Sequence, residues 1–496
     1  MPYTPPANGD ASIRPSLVPR RANHASVSGY CAEVVNDIHA KLNATQVRAV
    51  VDIRSVGDAR EVIRDAAPND VICIAGGRHA MGGQQFAEGG TLLDTRAFDR
   101  IISLDTERGL VEVESGIQWP ALMRGLAALQ AESPRRWTIR QKQTGADRLS
   151  IGGALSANVH GRGLTMCPIV ADIDSFTLID AEGHVRRCSR TENAELFGLA
   201  VGGYGLFGFI ASVTLRLVQR RRLERVVELV TSDRLLRAFE QRIAAGSLYG
   251  DFQFAIDTES PDFLHRGILS SYRPVDERRA GVGGDLALSS GQWRQLLFLA
   301  HVDKSRAFDL YAAHYMATSG QEYWSDEHQL SLYLDDYHAD VDSRLVTHGY
   351  EAPGTEMITE LFVPIERLEQ FLSTIRDDLR EHTVDLVYGT VRLIERDDES
   401  FLPWARCRSA CLILNIHTPH TPEGLADSAR TFRRLIDHAA AIGGSYYLTY
   451  HRYARADQVL ACHPKLPAML AKKRSYDPRE RFQNEWYRCY RDLLAG

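Results

Sequence analysis

Three glycine-rich segments in the first half of the sequence carry its clearest chemical signal. They are residues 75–83, 150–161 and 201–208. Glycine lets backbone N–H groups approach a ligand closely and form anion-binding nests, which suits a pyrophosphate. A single cluster of this kind is more often a tight turn between short strands. Three clusters in one region favour a bound dinucleotide.

Gly203, Gly205 and Gly208 form a GxGxxG pattern, the fingerprint of nicotinamide dinucleotide binding. That fingerprint works between a strand and a helix whose N-terminus holds the phosphates. Here the pattern is followed by residues 209–217, an apolar run in which apolar and polar residues alternate towards the end. This pattern predicts a strand. The sequence therefore argues against a Rossmann-type nicotinamide site at this position.

Taken together, these segments resemble the FAD-binding domain of the vanillyl-alcohol oxidase superfamily, also called the PCMH-type or FAD-linked oxidase fold. The matching motifs are Gly77-Arg-His-Ala-Met-Gly, Ser150-Ile-Gly-Gly-Ala-Leu-Ser-Ala-Asn-Val-His-Gly and Gly202-Gly-Tyr-Gly-Leu-Phe-Gly-Phe-Ile. Residues 443–450 and 476–482 resemble the family's tail, which returns to the flavin. Within the superfamily, the sequence is most similar to alditol and aldonolactone oxidases and to decaprenylphosphoryl-ribose oxidases.

The resemblance implies FAD as the cofactor, held by the glycine segments and the tail. The positions that match the family's FAD contacts are Ala75, Gly76, Gly77, Arg78, His79, Ala80, Gly145, Ser150, Ile151, Gly152, Gly153, Ala157, His160, Ile210 and Tyr447. His79 stands where many members carry a histidine bonded covalently to the flavin. The alternative is a histidine that is only hydrogen-bonded in the loop.

The resemblance also implies catalytic residues. An alcohol that gives up a hydride must also lose its hydroxyl proton to a base. Residues 389–394 resemble the alditol-oxidase strand that presents a Glu and an Arg to the substrate; Arg392 matches the Arg, and Thr390 replaces the Glu. Tyr450 stands where related oxidases carry a catalytic lysine. We therefore expect catalytic roles for Arg392, Tyr450 and His451, with Tyr450 as a proton shuttle of lowered pKa. If 450 and 451 alternate along a strand, at most one of them faces the flavin.

These features predict an FAD-dependent oxidoreductase that transfers a hydride from a CH–OH group of a polyol, sugar lactone or hydroxy acid to the flavin. Two alternatives stay open: an amine or C–N dehydrogenase of the cytokinin dehydrogenase type, and a catalytically silent flavin-fold binding protein. Glu360 is interpreted as an ordinary salt-bridged residue rather than one that assists catalysis. Residues 323–328 either line the pocket or pack on the surface. The expected partners are a small-molecule substrate and oxygen or another electron acceptor.

The composition is that of an ordinary globular protein. Of 496 residues, 44% are hydrophobic, and 58 Lys and Arg against 64 Asp and Glu give a net charge of −6, which argues against nucleic acid as a partner. No apolar run approaches the roughly 18 residues of a membrane span, and the N-terminus lacks the apolar core of a secretory signal. The eight cysteines are scattered singly apart from Cys407 and Cys411. We expect a cytoplasmic protein with reduced thiols and no metal site.

Changes in the pattern of apolar, glycine and charged residues divide the chain into four parts. We expect a flexible N-terminal segment (1–28), a PCMH-type FAD-binding domain of two subdomains (29–221), a substrate-binding cap (222–440) and a C-terminal segment that returns to the FAD domain (441–496). The expected fold class is α+β, and the cap would carry an antiparallel sheet covered by helices.

Within the cap, a strand followed by an amphipathic helix recurs three times in loose form. The helix starts are predicted at Ser232 as an N-cap, at Pro364 as a first helical residue, and beside Thr421.

Overall fold

The computed structural model describes residues 32–276, 286–330 and 337–495. The predicted N-terminal segment 1–28 lies outside the described residues. Over the described ranges, no helix is both long enough and apolar enough to cross a membrane.

Residues 32–221 form short strands with few helices between them. The strands are β1 Glu33–Val35, β2 Thr45–Val47, β3 Ala49–Asp52, β4 Ile72–Ala75, β5 Thr91–Asp94, β6 Ile101–Asp105, β7 Leu110–Glu114, β8 Trp137–Thr138, β9 Ile173–Ile179, β10 Val185–Ser189, β11 Phe209–Arg216 and β12 Val218–Gln219. The helices are α1 Val56–Asp65, α2 Trp119–Leu129, α3 Ile151–Ala157 and α4 Ala194–Ala200.

Two sheets organise this half of the chain. A three-stranded parallel sheet has the order β3-β5-β4, and a five-stranded antiparallel sheet has the order β10-β9-β11-β7-β6. The parallel strands read Ile-Cys-Ile-Ala and Thr-Leu-Leu-Asp, the nearly continuous apolar runs expected of strands buried on both faces. The first glycine segment leaves the carboxyl end of β4, and β11 directly follows the GxGxxG pattern, as predicted.

Residues 222–495 alternate longer strands with longer helices. The strands are β13 Arg222–Thr231, β14 Tyr249–Phe254, β15 Arg266–Pro274, β16 Glu322–Trp324, β17 Gly354–Pro364, β18 Leu386–Ile394, β19 Ser409–Pro419 and β20 Ser445–Tyr446. The helices are α5 Ser232–Ala244, α6 Ser290–Val302, α7 Lys304–Ala317, α8 Tyr337–Leu345, α9 Leu368–Glu381, α10 Pro422–Ala441, α11 Ala456–Cys462, α12 Leu466–Tyr476 and α13 Glu485–Ala495. These strands form one eight-stranded sheet of order β16-β13-β15-β14-β18-β19-β17-β20, in which the paired strands run antiparallel.

The three strand–helix units are present as β13–α5, β17–α9 and β19–α10, although two helix starts differ from the prediction. Ser232 is the first helical residue and Thr231 is the N-cap. Pro364 ends β17, and a short 3₁₀ turn separates it from α9. Thr421 is an N-cap whose side-chain oxygen accepts a hydrogen bond from the Gly424 amide at 3.0 Å. The mixture of helices with an antiparallel sheet confirms the α+β class.

The two faces of the eight-stranded sheet have different roles. Side chains alternate between faces along each strand. Leu361, Val391 and Leu412 belong to one buried core with Leu372 of α9 and Phe432 of α10. The neighbouring positions along the same strands project from the opposite face, and they include the polar side chains of Glu360, Thr390 and Arg392.

The C-terminal tail adds to the parallel sheet beside β4. The Ile72 amide donates to the Arg481 carbonyl at 2.7 Å, and the Gln483 amide donates to the Ile72 carbonyl at 3.0 Å. Just before this contact, the buried side chains of Lys473 and Asp477 form an ion pair. Asp477 also accepts hydrogen bonds from the backbone amides of Arg481 and Phe482. This pair therefore holds the tail in the conformation that reaches the sheet.

The Asp477→Ala variant should lose about 3–5 kcal/mol of unfolding free energy, because it leaves the Lys473 ammonium buried without its partner. Chemical denaturation measures the loss. The matched control is Asp457→Ala, which removes an exposed carboxylate paired with Arg455 and should leave the midpoint unchanged. An Asp477→Ala variant as stable as wild type would contradict this role.

Candidate active site

A buried carboxylate, Glu360 of β17, is the centre of a hydrogen-bonded cluster that joins distant parts of the sequence. Its Oε2 lies 2.9 Å from Nε2 of His160, and its Oε1 accepts a hydrogen bond of 2.8 Å from the Tyr450 hydroxyl. The side chains of His160 and Glu360 are only 4% and 5% exposed. Both carboxylate oxygens are therefore bonded in a place that largely excludes water.

The contacts of His160 fix where its protons lie. Its Nδ1 is 3.0 Å from the Gly161 carbonyl oxygen, which can only accept, so Nδ1 carries a hydrogen. Its Nε2 faces a carboxylate oxygen of Glu360, and two lone pairs at that distance would repel each other. One proton is therefore held between His160 Nε2 and Glu360 Oε2.

The cluster shifts the pKa values of its two acids in opposite directions. Burial alone would raise the pKa of Glu360, but the charge and hydrogen bond of His160, the charge of Arg392 and the hydrogen bond from Tyr450 together lower it. Burial and the Glu360 charge raise the pKa of Tyr450 well above its usual value. At neutral pH the pair is thus a carboxylate and a neutral phenol. The expectation of a lowered Tyr450 pKa is wrong, because burial and then the negative charge of Glu360 both raise it.

Strand register explains how an acid reaches the site although Thr390 replaces the expected Glu. Across β18, β19 and β17, Thr390 lies opposite Ile413, which lies opposite Glu360, so these side chains share one face. The Thr390 hydroxyl donates a 3.0 Å hydrogen bond to the Phe252 carbonyl. Glu360, two strands away in the same row, supplies the carboxylate instead.

The next row of the same face consists of Arg392, Cys411 and Phe362. Arg392 is 6% exposed, and within the described part of the chain its Nε has no hydrogen-bond partner. Its charge is near enough to lower the pKa of Glu360. A buried guanidinium with a free donor next to a carboxylate is suited to hold a substrate oxygen.

Cys411 and an aromatic shell complete the surroundings of His160. The Cys411 sulfur is 3.8 Å from His160 Nε2, and burial raises the pKa of its thiol well above the usual value. The Trp404 ring stacks on Phe362 with centroids 4.3 Å apart and lies 5.3 Å from the His160 ring. His160, Glu360 and Cys411 could in principle ligate a metal ion. Because Nε2 of His160 and both oxygens of Glu360 already take part in short hydrogen bonds, we interpret them as a hydrogen-bonded cluster.

His451 lies apart from this cluster, unlike Arg392 and Tyr450. Its Nε2 is 3.3 Å from the hydroxyl of Thr359, whose side chain projects from the opposite face of β17 to Glu360. Its ring stacks on Phe432 at 4.4 Å, and burial lowers its pKa to about 3. Tyr450 lies in a turn after β20 rather than in a strand, yet only one of the two residues reaches the cluster.

A second polar group continues along the same side of the sheet. Arg162, two residues after His160, donates to Asp251 Oδ1 of β14 at 3.3 Å, and its guanidinium lies 4.6 Å from the Tyr272 ring centroid. The His328 ring is 4.5 Å from the same ring, and burial lowers its pKa well below the usual value. His328 of segment 323–328 is thus buried rather than on the surface. Neither Arg162 nor Asp251 belongs to a sequence motif that predicts a site residue.

The first two glycine segments meet in space, and only glycine permits their contact. A Cβ on Gly76 would lie 2.0 Å from Ser150 Oγ, and one on Gly77 would lie 2.2 Å from the Arg148 carbonyl oxygen. At Gly145, by contrast, φ is +87° and a Cβ would meet nothing within 4 Å. The backbone at Gly145 is therefore accessible, whereas Gly76 and Gly77 are tightly packed. Accessible glycine backbone allows the close approach of a diphosphate.

Buried polar atoms beside this turn also fit a bound cofactor. His79 Nδ1 is 2.8 Å from His39 Nε2, and burial lowers the pKa of His79 to about 3. Among the residues described, His79 Nε2, Gln143 Oε1 and Thr144 Oγ1 are buried without hydrogen-bond partners. Buried polar groups are nearly always bonded, so these atoms are suited to contact a polar ligand. FAD fits this donor and acceptor set.

The other predicted cofactor contacts are placed as follows. Ala75 ends β4, and Ala80 lies in the loop after it. Arg78 pairs with Asp94 at 3.0 Å, and Asp94 also pairs with Arg96 at 2.7 Å, so one carboxylate is shared by two guanidinium groups. Ile210 is buried in β11.

Helix α3 carries most of the remaining predicted contacts. Ser150 caps it by accepting from the Gly153 amide at 3.2 Å, and Ile151 and Gly152 are buried in its first turn. The Tyr447 hydroxyl donates to the Ala157 carbonyl at 2.6 Å, which joins the end of this helix to the C-terminal segment.

Comparison with known proteins agrees with this arrangement. Residues 47–189, from the end of β2 to the end of β10, match the family described as FAD binding domain. The chain is 26% identical over 463 residues to an uncharacterized oxidoreductase, ORF5 in the fasciation locus of Rhodococcoides fascians, with 90% of this chain and 93% of that protein covered.

Two enzymes of known activity match over shorter lengths. L-gulonolactone oxidase of Mus musculus is 27% identical over 165 residues, 33% of this chain and 36% of the enzyme. Cytokinin dehydrogenase 7 of Oryza sativa subsp. japonica is 28% identical over 207 residues, 39% of this chain and 37% of the enzyme. The chain thus spans little more than a third of either enzyme's length. With an FAD-binding domain over residues 47–189 and oxidoreductases among its relatives, the chain is an FAD-dependent oxidoreductase that is similar to the PCMH-type FAD-linked oxidases.

Proposed function

We propose that this enzyme oxidises a CH–OH group of a small hydroxylated substrate, of the class of polyols, sugar lactones and hydroxy acids. The observation that carries the proposal is the buried Glu360 carboxylate, bonded to Tyr450 and His160 beside the unpartnered Nε of Arg392. Bound FAD would supply the hydride acceptor. The side chains described next supply the proton acceptor and the substrate oxygen site.

Tyr450 and Glu360 form the proposed proton path. The Tyr450 hydroxyl already donates to Glu360 Oε1, so its oxygen lone pairs are available to accept from a substrate hydroxyl. As the substrate proton moves to the Tyr450 oxygen, the phenolic proton moves to Glu360. Tyr450 stays neutral throughout, which agrees with its raised pKa, and Glu360 is the final proton acceptor. Such proton transfer typically contributes a factor of about 10²–10⁴ in rate.

Arg392 is proposed to bind and polarise the substrate oxygen. Its positive charge stabilises the negative charge that develops on that oxygen as the proton leaves, in a site with little water. The Arg162–Asp251 pair and its aromatic neighbours add further groups able to bind hydroxyls. On this proposal, residues 222–440 act as the substrate-binding cap and residues 441–496 bring Tyr450 and Tyr447 to the flavin side.

A C–N dehydrogenase is the second candidate, favoured by the similarity to cytokinin dehydrogenase 7. That reaction would place an amine beside the Arg392 guanidinium, which repels a protonated amine. A CH–OH donor instead uses both the guanidinium and the carboxylate. The catalytically silent alternative loses its main support, because Glu360 supplies the carboxylate that Thr390 lacks.

The Glu360→Gln variant tests the proposed base. We expect anaerobic bleaching of the flavin by a polyol, lactone or hydroxy acid in the wild type. In the variant, the reduction rate constant should fall about 10²–10⁴-fold with flavin content unchanged, because the amide cannot accept the proton. Stopped-flow absorbance measures the rate, and admitting air afterwards shows whether oxygen reoxidises the flavin.

The exposed Glu366 provides the matched control, and Glu366→Gln should reduce at the wild-type rate. Wild-type bleaching by amines but by no hydroxylated compound would replace this proposal with the C–N dehydrogenase. A Glu360→Gln variant that reduces as fast as wild type would remove Glu360 from the mechanism.

His79 is proposed to carry a covalent bond to the FAD. Burial lowers its pKa to about 3, which keeps the ring neutral, and a neutral imidazole retains one nitrogen lone pair for bonding. After acid precipitation, the yellow colour should stay with wild-type protein and pass into the supernatant from His79→Ala. Absorbance of the two fractions measures this. Release of the flavin from wild type would leave His79 as a hydrogen-bonded residue of the loop.

A further inference from the structure

We propose that His301, Glu356 and His417 bind one divalent transition-metal ion, with zinc the best-suited metal. The three residues lie in the part of the chain that carries the eight-stranded sheet, on α6, β17 and β19. The proposal does not depend on the proposed oxidation reaction. It also departs from the sequence-based expectation that the chain has no metal site.

Strand register brings two of the ligands together. Glu356 and His417 are directly opposite each other across β17 and β19, so their side chains project from the same face. His301 reaches them from α6, with its Nε2 3.2 Å from Glu356 Oε1. One donor atom from each residue lies within 4.8 Å of the other two. All three side chains are buried, with 7–8% of each residue exposed.

Unpartnered ring nitrogens supply the donor atoms that a metal ion needs in this group. Within the described ranges, neither ring nitrogen of His417 has a hydrogen-bond partner, and neither does Nδ1 of His301. Buried imidazoles usually satisfy at least one nitrogen through a hydrogen bond. A metal ion would use the lone pair that is left unbonded here.

The surrounding packing fixes the orientation of the His417 ring. A Cβ on Gly354 would lie 2.2 Å from His417 Cε1, so the ring occupies space that only glycine leaves open. The His301 and Tyr350 rings lie 5.0 and 5.3 Å from the His417 ring, both nearly perpendicular to it. A ligand held in this way loses little conformational entropy when a metal binds.

The donor set and its charge match zinc. Two imidazoles and one carboxylate, with a water as fourth ligand, are a common zinc coordination, with bonds of about 2.0–2.2 Å. Binding would draw donor atoms now up to 4.8 Å apart towards the edges of such a tetrahedron. Asp342 and Asp385 add negative charge towards His417, while Lys304 pairs with Asp385 at 2.7 Å. The negative charge that remains near His417 favours the binding of a cation.

The experiment uses the full-length protein, freed of any affinity tag, stripped with a chelator and dialysed against zinc. Elemental analysis should find one zinc ion per chain. The melting temperature should rise when zinc is added, because the ion joins α6 to two strands. Cobalt in place of zinc should give ligand-field bands at wavelengths longer than the flavin absorption. Protein that retains no zinc and gives no cobalt bands overturns the proposal.

Two variants make the assignment specific. His417→Gln should lose the bound zinc and the thermal shift. His463→Gln is the matched control: His463 is buried with both ring nitrogens unpartnered in the described structure but belongs to none of the metal-ligand groups found there, and this variant should keep the zinc. A third candidate group consists of Asp180, which is buried, and of Glu182 and His184, which are exposed. Retention of zinc by His417→Gln, or loss of zinc only in His184→Gln, overturns the proposal. If His417→Gln does not fold, the cobalt spectrum of the wild type decides.

Discussion

A carboxylate can be buried only where hydrogen bonds and opposite charge offset its lost hydration. Glu360 meets this requirement through His160, Tyr450 and Arg392. These partners come from the segment after α3, the turn after β20 and strand β18. Forming the Glu360 site therefore requires the glycine-rich half, the eight-stranded sheet and the C-terminal segment to be assembled together.

The same arrangement links cofactor and substrate chemistry. The end of α3 is bonded to Tyr447, and three residues later His160 contacts Glu360. The segment that would line the FAD thus continues directly into the segment that holds the proposed base. A change in the packing of α3 should therefore alter the surroundings of the Glu360 carboxylate, although α3 belongs to the glycine-rich half and Glu360 to the eight-stranded sheet.

Local patterns in the sequence predicted the local structure well. The strand after the GxGxxG pattern and the three strand–helix units each follow from the periodicity of apolar residues. The helix starts at Thr231 and after Pro364 differ by a few residues because caps and 3₁₀ turns depend on the packed strand ends.

The active-site cluster could be predicted only in part, because it depends on pairing between strands far apart in sequence. Glu360 is the one charged residue in the apolar run of residues 359–363, which is a usable signal. Its salt-bridge partner, His160, is 200 residues away, so the sequence could not show that the pair forms in the active site. Likewise, the pairing of Glu356 with His417 follows from the β17–β19 register, which no short motif records.

The direct test of the central claim is the pH dependence of anaerobic flavin reduction, measured by rapid mixing for the wild type and Glu360→Gln. The pKa of Glu360 lies below the ordinary value of 4.5, so the proton acceptor is charged at neutral pH. The wild-type rate constant should be level around neutrality and fall only as the pH drops below the usual carboxyl range. The variant should be slow and show no such acid limb. A rate constant that instead rises with pH as a group with a phenol-like pKa loses its proton, equally in the wild type and the variant, would contradict the account.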